Sequence, residues 1–482
     1  MRDWSTGVKI GRLWHAMSVV LVYPPNFFRE EKLRKEPYGG LEERWGKAPP
    51  LGILYLASSL LESGVKVGVV DLNALKVGLK ESVNLIGKSK PHVIGISATS
   101  FQLRGAVQLA ERLKEEFENE VVIGLGGAHI SVDPDFINRF PIFDFGLVGE
   151  GEITFPSLVT RILKGEKVRG TFYGKQPESL DELPFPDRQL IDAKRYFSEK
   201  ECATILATRG CPYNCIFCSI KGLRGQRVRF RSPRNVVDEM EGIRDQGTRR
   251  FWFVDDTFTV NRKYVLKLCE EIINRKLDIE WWCETRTESV DETILKVMRK
   301  AGCIQISFGI ESGSERIRIN IIRKNFTNDQ AIRAFRLCKK LDILTEAYLM
   351  LGFPTETMED LYYTANFPAE LGADIIGVHI TQILPGSDLL ALAVKEGKIA
   401  LDVYDQYAKG ELKGSLPVYV PEGLSLRILQ NARKQAYRRF YFRPQFLVSR
   451  LTKDLHSLKE LRNDIRVALK LCLEGKTAAE PE

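Results

Sequence analysis

Short apolar runs alternate with amphipathic stretches along most of the chain. In the first third, Ser18–Tyr23, Val65–Asp71, His92–Ser97, Val121–Gly126 and Phe143–Val148 read as strands, while Leu51–Ser63 and Ala106–Phe117 repeat their apolar residues at helical spacing. Nearly continuous apolar strands separated by helices predict a parallel sheet buried on both faces. A stretch punctuated by Gly165, Gly170, Gly174, Pro177, Pro184 and Pro186 follows and reads as an extended connector. The alternation then resumes with strands expected at Ala203–Arg209, Arg250–Asp255, Ile279–Thr285, Cys303–Ile310, Leu344–Leu351 and Asp374–Thr381, and helices such as Val236–Gln246 and Tyr264–Arg275 between them. Six such units fall short of the eight of a closed barrel and predict a partial (β/α)6 barrel with an open side. The fold class is therefore α/β: a doubly wound, Rossmann-like sheet over 17–160, a linker over 161–200, a barrel over 201–400 and a helical region over 401–482. Residues 1–16 form an N-terminal extension, either a surface segment or the result of too early a start, since Met17 directly precedes the first strand.

In open parallel sheets ligands bind at the carboxyl ends of the strands. In the first unit those ends carry Pro24-Pro25, Ser97-Ala-Thr-Ser100, Gly126-Gly127 and Gly149-Glu150-Gly151, which form one crevice. A dinucleotide site would need G-x-G-x-x-G after the first strand, and Tyr23-Pro-Pro-Asn26 is nothing like it. The chemistry concentrates in the second unit, at Cys211-Pro-Tyr-Asn-Cys215-Ile-Phe-Cys218. Three thiolates on one short loop suit three corners of a cubane iron-sulfur cluster and leave the fourth iron open to another ligand. A structural zinc knuckle would want four ligands. Five of the other six cysteines, Cys269, Cys283, Cys303, Cys338 and Cys472, lie in periodic apolar segments and read as buried thiols.

The C-x-x-x-C-x-x-C loop after a strand resembles the signature of the radical S-adenosylmethionine (SAM) superfamily. That resemblance implies that Cys211, Cys215 and Cys218 hold a [4Fe-4S] cluster whose open iron chelates SAM and cleaves it to methionine and a 5'-deoxyadenosyl radical. It also implies SAM contacts from the strand ends: Asp255 and Asp256 in Phe253-Val-Asp-Asp-Thr-Phe258, Arg286 in Glu284-Thr-Arg286, Glu311 in Phe308-Gly-Ile-Glu-Ser-Gly313, and Gly352 as a backbone edge for adenine in Met350-Leu-Gly-Phe-Pro-Thr-Glu356. The first unit resembles the cobalamin-binding domain that precedes many such enzymes, through Pro49-Pro-Leu-Gly-Ile-Leu-Tyr-Leu-Ala57, Pro91-His-Val-Ile-Gly-Ile-Ser97, Gly126-Gly-Ala-His129 and Gly149-Glu-Gly-Glu152. There Ser97 and Gly126-Gly127 (126 − 97 = 29 residues apart) would flank a groove for the cobalamin tail, with Glu150 and Gly151 beside it. Small residues suit a tail that passes where side chains would otherwise stand. His129 is a candidate cofactor contact, with a capping or core role as the competing reading. The D-x-H-x-x-G motif that supplies a lower cobalt ligand elsewhere is missing.

What the resemblance implies is methylation of a poorly activated carbon, by way of methylcobalamin and the 5'-deoxyadenosyl radical. The same scaffold admits cyclisation of the kind seen in the anaerobic magnesium-protoporphyrin ester cyclase group, or a non-enzymatic cofactor sensor. A methylthiotransferase needs a second cysteine set near its amino terminus, and no cysteine precedes Cys202. An electron donor such as flavodoxin or ferredoxin is implied, with a small-molecule or lipid-like substrate. Composition changes this picture little: 482 residues, 44% hydrophobic and 28% charged, are ordinary for a globular protein of several domains. Nine cysteines without a secretory leader point to a reducing cytoplasm. Charge adds one feature. Between Leu424 and Leu473, 12 Lys and Arg face 3 Asp and Glu, so this segment's +9 (12 − 3) exceeds the whole chain's +8. A basic amphipathic helix can lie on an anionic membrane face, each basic side chain contributing about 1 kcal/mol. The competing and favoured reading is a helical lid on the barrel. No base-reading module suggests nucleic acid.

Overall fold

The computed structural model describes residues 18–28, 48–118, 120–192, 195–196, 202–412 and 416–443. The first unit is a six-stranded parallel sheet built from β1 (Val19–Tyr23), β2 (Val67–Asp71), β3 (Val93–Ser97), β4 (Val122–Gly126), β5 (Phe145–Val148) and β6 (Gly170–Tyr173), in the order β2-β1-β3-β4-β5-β6. Strand alternation sends Val19 and Leu21 to one face, against the helices Leu51–Glu62 and Thr154–Leu163. Val20 and Val22 go to the other, against Leu79–Gly87 and Leu103–Glu116. This double winding is why the strands are apolar throughout. β6 falls within the stretch read as a connector: Gly170-Thr-Phe-Tyr173 is short and half-exposed, and it pairs with β5 as an edge.

The second unit is also six-stranded and parallel, in the order β14-β13-β12-β11-β10-β7. Its strands are β7 (Cys202–Ile205), β10 (Arg250–Phe253), β11 (Glu280–Thr285), β12 (Cys303–Glu311), β13 (Leu344–Leu351) and β14 (Ile375–Ile380). β7 and β14 are its two edges, so the sheet is the expected partial barrel. The run read as one strand, Ala203–Arg209, is two: β7 pairs with β10, and β8 (Thr208–Arg209) turns away to pair antiparallel with β9 (Arg229–Phe230). Outward apolar residues such as Phe251, Phe253, Cys283, Ile306 and Phe308 form the core with the surrounding helices. Ser232, Asn261, Asp291, Thr327 and Thr357 cap five of those helices, each side chain accepting the backbone N–H of the third residue of its helix. Each cap contributes about 1 kcal/mol.

The chain's later part joins the two units. Val403–Lys409 packs Tyr404 and Tyr407 into the first unit's core, Tyr407 donates to the Phe101 carbonyl at 2.8 Å, and Asp405 pairs with Arg139. Leu426–Tyr441 lies on the barrel, where the Tyr437 hydroxyl accepts the Val378 N–H at 2.9 Å and so covers an open sheet edge. This described part of the basic segment packs Leu429, Ala436, Tyr437, Phe440 and Tyr441 onto the barrel's core at that edge. The helix expected at Leu447–Leu473, and Cys472 within it, lie outside the described residues.

Candidate functional site

The three-cysteine loop hangs from β8. Gly210 turns the chain with φ +100°, and a Cβ there would stand 2.6 Å from the Arg227 carbonyl, so only glycine lets Cys211 follow so closely on the strand. Asp255 and Asp256, at the end of β10, hold this turn. Asp255 accepts the Thr208 hydroxyl at 2.6 Å and the Ala207 N–H at 3.3 Å, and Asp256 accepts the Gly210 N–H at 3.1 Å and Arg224 at 3.4 Å. Both carboxylates, which the family resemblance implies for SAM, thus also brace the loop through its backbone N–H groups, the Thr208 hydroxyl and Arg224.

Cys211, Cys215 and Cys218 are all free and half-buried. Thr257 Oγ1 lies 3.6 Å from Cys211 Sγ, and Arg286 reaches Cys215 Sγ at 3.6 Å while its guanidinium stacks 3.8 Å from the Tyr213 ring centroid. Burial pushes the Cys215 thiol up, against the pull of Lys324 and Arg286, and pushes Cys218 up to about 11. Cations beside half-buried thiols suit a donor set that must shed protons to bind metal. Among the described residues no three His, Cys, Asp or Glu side chains converge closely enough for a single ion. Glu311 sits nearby with φ +64° and pairs with Lys324 at 2.8 Å. Lys324, which also donates to the Gly309 carbonyl at 2.8 Å, was missed by sequence reasoning because it lies on a loop with no motif. At Gly352 the N–H is bonded to Glu356, and a Cβ there would stand 2.7 Å from the Tyr419 carbonyl, so close chain packing also requires glycine at this position.

Between the units lies a cavity of about 430 Å³. Ser97, Gly126, Gly127, Glu150 and Gly151 line it as the sequence implied, over an apolar floor of Leu21, Leu125, Phe145, Leu147 and Phe155. A Cβ on Gly126 would meet nothing within 4 Å, which leaves room for a slender group beside the strand. Glycines on the wall and aromatic rings on the floor fit a cofactor tail ending in a flat ring system. His129 is not in this lining. It is fully buried, shares a hydrogen bond with Ser100 at 3.0 Å, meets Phe136 edge-on, and is held neutral by burial, with its pKa lowered to about 3. Its role is in the core. Glu150 lines the cavity, yet its carboxylate is bound to Arg209 at 2.8 Å and to Arg229. Those two arginines outweigh burial and hold it below the usual carboxylate range.

The barrel's inner face is polar. Glu284 on β11, Ser307 on β12 and Glu346 on β13 share one rung, and Tyr348 lies one step above. Ser307 donates to Glu346 at 2.9 Å. Burial and the neighbouring Glu346 charge raise Glu284 to about 7. His379, near the carboxyl end of β14, is exposed. Within β13 the inward Glu346 and Tyr348 alternate with the outward Ala347 and Leu349, too short a polar-apolar alternation to mark a polar inner face from the sequence.

Asp255 also makes a testable contribution to stability. It is 2% exposed, and burial raises its pKa from 3.8 to about 6. The folded state therefore holds a proton that the unfolded state releases, and stability falls as pH rises from about 4 through about 6, by at most about 3 kcal/mol. Denaturant unfolding of cluster-free protein is expected to show Asp255→Asn gaining on the wild type across that window. A constant difference would contradict it.

A family model for the radical SAM superfamily matches residues 205–367, and one for the B12 binding domain matches 40–159. The chain is 30% identical over 449 residues to an uncharacterized methyltransferase of Pyrococcus horikoshii, covering 90% of this chain and 94% of that protein. It is 30% identical over 470 residues to the anaerobic magnesium-protoporphyrin IX monomethyl ester cyclase of Rubrivivax gelatinosus, covering 91% and 82%. Among solved structures it resembles the radical SAM methyltransferase TsrM from Kitasatospora setae with cobalamin and a [4Fe-4S] cluster bound, with TM-score 0.67 over 89% of this chain and 90% of that one. At 17% identity this last likeness speaks for the fold.

Proposed function

The chain belongs to the cobalamin-binding radical SAM proteins, and on that premise we propose that it methylates a poorly activated carbon of a small organic substrate. The observation that carries this reading is the adjacency of the two cofactor sites: Arg209, two residues before Cys211, also lines the glycine-walled cavity. Bound cobalamin and cluster supply the methyl carrier and the electron for SAM cleavage. The protein supplies placement. Cys211, Cys215 and Cys218 would hold the cluster; Arg286, beside Cys215 and oriented by its ion pair with Glu288, would meet the SAM carboxylate, and Glu311 with Lys324 faces the same space. Ser97, Gly126 and Gly151 leave the groove for the cobalamin tail, and the polar inner face offers substrate groups buried hydrogen-bond partners that fix orientation. A small electron donor of the flavodoxin or ferredoxin kind would reduce the cluster. Among the described residues no helix is long and apolar enough to cross a membrane.

The test is a single-turnover assay on anaerobically reconstituted protein with cobalamin, methyl-labelled SAM and a strong reductant. Methylation requires both 5'-deoxyadenosine and S-adenosylhomocysteine among the products. Deoxyadenosine alone would replace methylation by a cyclase-type radical reaction, and neither nucleoside from an intact cluster would favour a sensor.

A further inference from the structure

Both ends of the three-cysteine loop are built into the wall of the cobalamin cavity. On the amino side, Arg209 lines the cavity and donates to Glu150 at 2.8 Å and Glu152 at 2.7 Å, across the boundary between the units. Its guanidinium also lies 5.2 Å from the Tyr55 ring, another part of the wall. On the carboxyl side, the helix Ile220–Arg224 begins two residues after Cys218 and brings Leu223 and Arg224 to the same cavity. Arg224 pairs with Asp256, which in turn accepts the Gly210 N–H. Arg209 and Glu152 are 6% and 9% exposed, so this is a buried charge pair in which neither partner can move away without stranding the other.

An occupant of the cavity therefore touches side chains on both flanks of the loop at once. It restrains them, and a loop held at both ends releases its metal less readily. We propose that Arg209 and Arg224 are positioning residues that couple the two cofactor sites, so that cobalamin in the cavity strengthens retention of the cluster. Linkage then requires the assembled cluster to tighten cobalamin binding by the same factor. This inference rests on the two-cofactor reading but adds to it a free-energy connection between the sites, in which Glu150 and Glu152 take part through Arg209.

Two binding measurements on the full chain test it. The first is the equilibrium affinity for cobalamin with and without the assembled cluster. The second is cluster retention against a graded iron chelator, with and without hydroxocobalamin, followed by visible absorption. In the wild type each cofactor is expected to strengthen the other by about 5-fold or more, with equal factors. In Arg224→Gln, and in Arg209→Lys if it folds, both cofactors still bind but the two factors fall together towards one. A merely structural role would lower stability and leave the factors intact. Factors near one in the wild type, or full factors in both variants, would overturn the coupling while leaving the cofactor assignment standing. Failure of the wild type to bind cobalamin at all would overturn both.

Discussion

Replacing Cys211 by alanine is expected to abolish the visible absorption of the cluster and the cleavage of SAM together. Losing a partner that merely supports a metal ligand costs about 10- to 100-fold, and Cys211 is itself a ligand, so the loss of SAM cleavage should exceed that range. The loop offers no substitute: among the described residues the free cysteines elsewhere in the barrel are Cys202, at the opposite, amino end of β7, and Cys269, Cys283, Cys303 and Cys338, buried in the core between sheet and helices. Cys338→Ala is the matched control. It should lower stability by opening a small cavity and leave the cluster's absorption unchanged. Anaerobic reconstitution followed by absorption spectroscopy and nucleoside analysis checks both variants, and a normal cluster in Cys211→Ala would refute the ligand assignment.

Gly126→Leu should separate the two cofactors. The backbone at Gly126 is not in the left-handed region, and a Cβ there meets nothing within 4 Å, so a larger residue is accommodated by the fold and its side chain enters the cavity. Cobalamin affinity should fall by about 100-fold or more, about 2.8 kcal/mol, with cluster assembly retained. Gly127 makes the contrast. Its φ is +96°, and a Cβ would lie 2.8 Å from the Ala98 backbone, so substitution there strains the chain whether or not a cofactor binds. Equilibrium titration of cobalamin into each variant reads the difference, and unchanged affinity in Gly126→Leu would show that the tail runs elsewhere.

The two adjacent glycines show what was legible in the chain and what was not. Their place at the end of a buried strand follows from apolar periodicity, as do the strands around them, because parallel strands covered on both faces leave an unbroken apolar signal. That one glycine shapes the backbone while the other leaves room for a ligand depends on φ and on distances that no spacing encodes. The same holds for Asp255 and Asp256, whose residue type suits a cofactor and whose donors in the structure include the Thr208 hydroxyl and the Ala207 N–H for Asp255 and the Gly210 N–H for Asp256. Arg209 was read as the end of a strand. Its pairing with Glu150 and Glu152 joins two elements 59 and 57 residues away. β6 escaped because a four-residue, half-exposed edge strand lacks the apolar run that marked the others.

Whether one chain holds an iron-sulfur cluster and cobalamin in adjoining sites is decided by quantifying iron, sulfide and cobalamin on the same gel-filtered, anaerobically reconstituted protein, for the wild type and Gly126→Leu in parallel. About four iron and four sulfide per chain are expected in both, with about one cobalamin in the wild type and almost none in the variant. Cobalamin retained equally by both proteins, or absent from a wild type with a full cluster, would contradict this arrangement.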